Sequence, residues 1–197
     1  MEVSPERLEN GCTLGEVELS LRGDGVFVLS LLAGAANPEN RWTTQFAIAV
    51  HNAFDAVEAQ LAKEEEEEKQ GAKKKPHALL TLSESPKFFS NGIPLEWLTS
   101  RPPAAEIAEW NALVMPAFAR PLLLPIPTVC AVQGHAFGAG FMFALAHDAL
   151  LQRTGRKGGF MCAPEVAIGV DIPGPELALF AHQVLVLTTR SAFSFIY

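Results

Sequence analysis

Glu165 is an isolated acid behind a proline, in the apolar run Ala163-Pro-Glu-Val-Ala-Ile-Gly169. Upstream lie two glycine-bearing turns, Phe89-Ser-Asn-Gly-Ile93 and Gly134-His-Ala-Phe-Gly-Ala-Gly140. A carboxyl held among apolar side chains keeps its proton more readily than one in water, which suits a group that takes and returns a proton. Glycines allow close approach of the backbone to a ligand and tolerate positive φ. Unpaired N–H groups at the start of a helix suit a developing negative charge. The second turn stands where such a helix begins. A glycine turn alone equally serves a tight helix–strand contact, so the three segments carry weight together.

The elements that must position these groups are legible around them. Glu16–Leu21 and Val26–Leu32 alternate about Asp24-Gly25, which reads as two strands and a turn. A long helix is expected from about Thr43 to Lys63, with Phe46, Val50, Ala53, Phe54, Val57 and Leu61 on one face. Ala78–Leu82 reads as a buried strand before the first turn. Ala104–Phe118 reads as a second helix carrying Ile107, Trp110, Leu113 and Val114, and Pro121–Pro127 as an extended lead into a strand at 128–133. Gly138–Ala146 follows as a buried helix, then strands at 149–153 and 159–161 around a turn at 154–159. Strands alternating with helices imply βαβ units with right-handed crossovers.

Phe89-Ser-Asn-Gly-Ile93, Gly134-His-Ala-Phe-Gly-Ala-Gly140 and Pro164-Glu-Val-Ala-Ile-Gly169 together resemble the crotonase (enoyl-CoA hydratase/isomerase) superfamily over roughly residues 16 to 180. The resemblance implies an α/β fold, a crotonase-like spiral of βαβ units with the C-terminal helical region largely missing. It implies an acyl-CoA substrate bound near Ser90, Asn91, Gly92, Gly138 and Met142. The N–H groups of Ile93 and Ala139 would form the oxyanion hole for a thioester enolate, with Glu165 as acid/base. No metal or cofactor is implied. Where hydratases of this family carry a second glutamate, this chain has Met142, which cannot activate a water. One carboxylate beside an oxyanion hole suits a proton shuttle from C2 to C4, as in the Δ3,Δ2-enoyl-CoA isomerases of unsaturated fatty-acid β-oxidation. Phe137, Phe141, Met142 and Phe143 would dry the acyl pocket where they face it. The resemblance also implies a homo-oligomer, a trimer, and a peroxisomal setting with cytosol or mitochondria as alternatives. The alternative function is a non-catalytic crotonase-like acyl-CoA-binding or assembly subunit.

Composition agrees with a globular domain: 197 residues, 49% hydrophobic and 19% charged. A net charge of −7 argues against a nucleic-acid surface. No stretch is apolar enough for a membrane span, and no signal-peptide core or Ser-Lys-Leu ending is visible. Cys12, Cys130 and Cys162 have no metal or disulfide spacing, and the latter two read as core thiols. Arg22-Gly-Asp24 reads as a turn, not an adhesion motif, and His147-Asp148 as structural, not a catalytic dyad. Residues 1–15 are expected to be a loose leader and 16–183 the core. Within the core, Glu64–Pro76 is expected to be a solvated helix end running into a charged low-complexity loop. Residues 184–197 read as an atypical tail in place of further helices.

Overall fold

The computed structural model describes residues 4–155, 158–165, 167, 169, 174, 177–179 and 181. The expected tail at 184–197, the end of the expected core and the apolar neighbours Val166 and Ile168 lie outside these residues.

Apolar alternation builds a main sheet of six strands: β1 (Cys12–Leu14), β2 (Val17–Leu21), β3 (Val26–Leu31), β4 (Ala78–Ser83), β6 (Thr128–Val132) and β8 (Ala149–Gln152), in the order β1-β2-β3-β4-β6-β8. The first three pair antiparallel, and β3, β4, β6 and β8 run parallel. The β2–β3 turn closes at Gly25, whose φ is 87°, with Asp24 Oδ1 accepting from the Val26 N–H. A second sheet holds three short parallel strands, β5 (Phe88–Ser90), β7 (His135–Phe137) and β9 (Met161–Cys162). Each follows a strand of the main sheet, so the chain alternates between sheets along the spiral: β4 to β5, β6 to β7, β8 to β9. This is the stacked α/β architecture that the resemblance implies. Because β5, β7 and β9 are parallel, their C-terminal ends share one edge, where both glycine turns and Glu165 emerge.

Helix α2 (Thr44–Lys69) is capped by the Thr43 hydroxyl, which accepts from the Phe46 N–H at 3.1 Å. Its apolar face and that of α4 (Ala104–Leu123) cover the sheet together with α5 (Ala139–Leu145). At their meeting point the Trp42 ring lies 4.7 Å from Phe118, 5.0 Å from Phe46 and 5.2 Å from Phe143, each edge to face. The other helices are short, α1 (Pro5–Glu9) and α3 (Leu95–Thr99).

Several expectations require correction. The stretch read as a loose leader contains α1 and β1, and its Leu8, Cys12 and Leu14 are buried. Helix α2 continues to Lys69, and Glu64, the first residue of the acidic run, is buried on it. Glu64 accepts from Gln60 at 2.6 Å and pairs with His77 Nε2 at 2.9 Å. Burial works against its charge, but the bonds from Gln60 and His77 prevail and leave its pKa below the ordinary glutamate value. Helix α4 runs through Pro116 and Pro121 to Leu123, so 121–123 are helical, not extended. Each proline forfeits a helix bond, and burial of Val114, Ala117, Phe118 and Pro121 offsets it. Cys130 is buried as expected, but Cys162 is exposed.

Candidate active site

The first loop, residues 91–93, leaves β5 through Gly92, whose φ of 69° is left-handed. A Cβ at Gly92 would stand 2.9 Å from the Phe137 carbonyl oxygen and 3.8 Å from the Ala139 nitrogen. The two loops therefore touch, and only a residue without a side chain fits between them. The second loop turns at Gly138, with φ 49° and ψ −120°, directly into α5. Its N–H donates to Cys162 O at 3.0 Å, which ties the turn to the end of β9. Among the described residues, neither the Ile93 nor the Ala139 N–H donates a hydrogen bond. Two free backbone donors thus stand on neighbouring loops.

Glu165 arrives from the third loop, after β9. A Cβ on Gly138 would lie 2.7 Å from its Oε1, so the carboxylate sits against the turn that presents Ala139. Its Oε2 is buried and has no hydrogen-bond partner among the described residues. These groups line one cavity of about 450 Å³, whose far wall is made by α3 and α4 through Trp97, Ile107, Trp110, Met115 and Phe118. Among the described lining residues Glu165 is the one carboxylate, and Arg41 the one cation.

The other expected site residues divide. Asn91, Gly92, Ile93, Gly138, Ala139 and Glu165 all line the cavity. Met142 and Ser90 do not. Met142 is fully buried on the inner face of α5, within the core cluster. Ser90 lies under the loops, where its hydroxyl donates to Asn40 O at 2.6 Å and its Cβ backs Gly140. Of the four side chains expected to dry the pocket, Phe137 lines it, whereas Phe143 packs on Trp42 and Phe54.

The two histidine positions are structural. His147 Nδ1 donates to Phe143 O at 2.9 Å, so Nε2 accepts from the Thr81 hydroxyl at 2.8 Å. Burial lowers its pKa to about 4, and it stays neutral. Asp148 instead accepts from the N–H and hydroxyl of Thr128. His135 Nδ1 accepts from the Phe160 N–H.

Sequence reading missed Glu39, Arg41 and Cys162 at this site. Arg41 Nε donates to Glu39 Oε2 at 2.8 Å and its Nη1 to Ile93 O at 3.1 Å. Asn91 Nδ2 donates to the same Glu39 oxygen at 2.8 Å. The Asn91 bond, with the Arg41 guanidinium, holds the Glu39 pKa below the ordinary carboxylate value despite some burial. Cys162 lines the cavity, and partial burial with the nearby Glu165 charge pushes its thiol pKa up.

Residues 42–179, more than half of the 197, match the enoyl-CoA hydratase/isomerase family. With the spiral fold and the three convergent loops, the chain belongs to that family. Among curated proteins it is 41% identical to enoyl-CoA delta isomerase 3 of Arabidopsis thaliana over 101 residues, covering 50% of this chain and 41% of the relative. It is 35% identical to the peroxisomal enoyl-CoA delta isomerase 2 of the same plant over 111 residues, covering 54% of this chain and 45% of the relative. The fold is similar to an enoyl-CoA hydratase/carnithine racemase from Magnetospirillum magneticum, with a TM-score of 0.69 and 19% identity over 94% of this chain and 65% of that one. The chain spans less than half the length of the curated relatives it matches.

Proposed function

We propose that the protein is an enoyl-CoA isomerase that moves a 3-enoyl double bond into conjugation with the thioester. The observation that carries this reading is a cavity holding two free backbone donors, on Ile93 and Ala139, beside one carboxylate, Glu165.

The chemistry follows from that inventory. The Glu165 carboxylate takes a proton from C2 of the 3-enoyl thioester. The electrons of that C–H bond move toward C1, and negative charge grows on the thioester oxygen. The N–H groups of Ile93 and Ala139 stabilise it, and in other enzymes one such donor is worth roughly 3–4 kcal/mol. Glu165 then returns its proton at C4, the electrons settle as a C2=C3 double bond, and the carboxylate is regenerated. Glu165 Oε2 supports this role, since among the described residues it has no hydrogen-bond partner to compete for the proton. Hydration would need a second carboxylate to activate water. The position where hydratases carry it holds Met142, turned into the core. Two Arabidopsis relatives are named peroxisomal, which supports a peroxisomal setting in unsaturated fatty-acid oxidation.

The test is turnover of 3-hexenoyl-CoA by the purified chain, followed by the absorbance of the conjugated thioester. Conjugation without hydration of 2-hexenoyl-CoA is the expected result. Binding without conjugation would favour a non-catalytic acyl-CoA-binding subunit, and efficient hydration would make the protein a hydratase.

A further inference from the structure

The first oxyanion loop is held from behind by a strap of consecutive residues that plays no part in the scheme above. Residues 39 to 42 meet residues 89 to 93 almost one for one. The Asn91 N–H donates to Glu39 O at 2.9 Å, Asn40 Nδ2 to Phe89 O at 3.0 Å, and the Trp42 N–H to Gly92 O at 2.9 Å. Arg41 completes the set through Ile93 O.

Two of these bonds bear on the donor itself. The Gly92 carbonyl and the Ile93 N–H belong to one planar peptide and point in opposite directions. Trp42, by holding that carbonyl, fixes the N–H in the opposite direction, on a residue that lines the cavity. The next peptide plane begins with the Ile93 carbonyl, held by Arg41. Both planes flanking the Ile93 Cα are therefore fixed. A carbonyl that accepts a hydrogen bond also makes the N–H of its own peptide a stronger donor. Arg41 is a long side chain that would otherwise sample many rotamers. Glu39 Oε2 fixes it, and the same oxygen accepts from Asn91 inside the loop.

We propose that Glu39 and Arg41 are positioning residues, a charged clamp that sets the aim of the Ile93 oxyanion donor; this rests on the isomerase reading of the same site. Their effect belongs to the charged transition state and not to the binding of the thioester in its ground state. A misplacement of about 1 Å at a reacting centre costs about a hundredfold.

The clamp is tested with Arg41→Met, Arg41→Lys and Glu39→Gln, each first shown to fold by circular dichroism and thermal midpoint. Turnover of 3-hexenoyl-CoA should fall about tenfold to a hundredfold in Arg41→Met with KM changed less than about threefold, the pattern of an interaction made in the transition state. Arg41→Lys, which keeps the charge but cannot fork to both partners, should recover part of the loss. The second readout needs no turnover. The infrared carbonyl stretch of bound 2,4-hexadienoyl-CoA, labelled with 13C at C1, should move to lower frequency on the native chain, and most of that shift should vanish in Arg41→Met, with a smaller loss in Glu39→Gln. A native chain that shows the shift but does not isomerise would remove the isomerase reading and leave the clamp standing. Folded variants that retain the full shift would overturn the clamp. So would a raised KM at unchanged kcat, which would make Arg41 a substrate ligand, and so would the lack of any shift on the native chain.

Discussion

Two carboxylates serve this site and are treated in opposite ways: Glu165 lines the cavity, and Glu39 stands behind its lining residues Arg41 and Asn91. Glu39 is saturated: Arg41 and Asn91 donate to it, and those bonds keep it ionised. Glu165 is bare: its Oε2 is buried without a partner among the described residues, and its Oε1 lies against a glycine. A saturated carboxylate is a fixed charge, useful for holding other groups in place. A bare one has unused lone pairs and can exchange a proton with a substrate. On the proposed mechanism the base is the carboxylate that both lines the cavity and keeps an oxygen without a partner among the described residues.

The bare side should be the more fragile. Gly138→Val is expected to abolish turnover, because the new Cβ would enter the space of Glu165 Oε1 and the residue would keep a positive φ. The neighbouring Ala139→Ser retains the backbone N–H and should lose little activity in the same assay. Equal damage from the two, with both folded, would mean that side-chain volume at 139 matters and the backbone donor does not.

Glu165→Gln should lower turnover by at least about a hundredfold, the lower end for a positioned acid–base group. This exceeds what Glu39→Gln should cost, since glutamine at 39 can still accept from Asn91. If the order of the two losses is reversed in steady-state kinetics, the roles assigned to the two carboxylates are wrong.

The distinction between held and unheld carboxylates extends to stability, with smaller effects. Glu64→Ala should destabilise by about 1–3 kcal/mol in urea unfolding, because it strips a buried partner from His77 and Gln60. Glu66→Ala, in the same acidic run but exposed, should stay within about 0.5 kcal/mol. Because the folded pKa of Glu64 is depressed, its contribution is complete above the unfolded value near 4.5 and is lost as pH falls through the folded one. The acid limb of the stability curve should therefore be shallower in Glu64→Ala. Equal costs for the two substitutions would remove the structural role given to Glu64.

What could be read in the chain follows the range of the interactions. Local signals placed β3, β4, β6, α5 and the start of α2 close to their observed bounds, and the loops bearing Gly92, Gly138 and Glu165 are continuous motifs. The clamp is different in kind. Glu39 and Arg41 lie 52 residues from Asn91 and Ile93, so no spacing rule connects them. By residue type alone, Asn37-Pro-Glu-Asn40 is a turn. Asn40 does adopt φ 49°, but the turn's use as a brace depends on β5 lying beside it. Met142 and Ser90 show the complementary failure. Both occupy motif positions, but the side-chain direction on a seven-residue helix and a three-residue strand is set by packing, which turns both away from the cavity. Glu64 was obscured because four like residues follow it, and composition cannot show which one faces His77.

The central claim is that one carboxylate, Glu165, carries a proton from C2 to C4. The most direct measurement is conversion of 3-hexenoyl-CoA dideuterated at C2, with the label located in the product by NMR. The account predicts that the native chain delivers part of the label to C4, the rest exchanging with water, and that Glu165→Gln delivers none. A product hydroxylated at C3, or unimpaired conversion by Glu165→Gln, would contradict it.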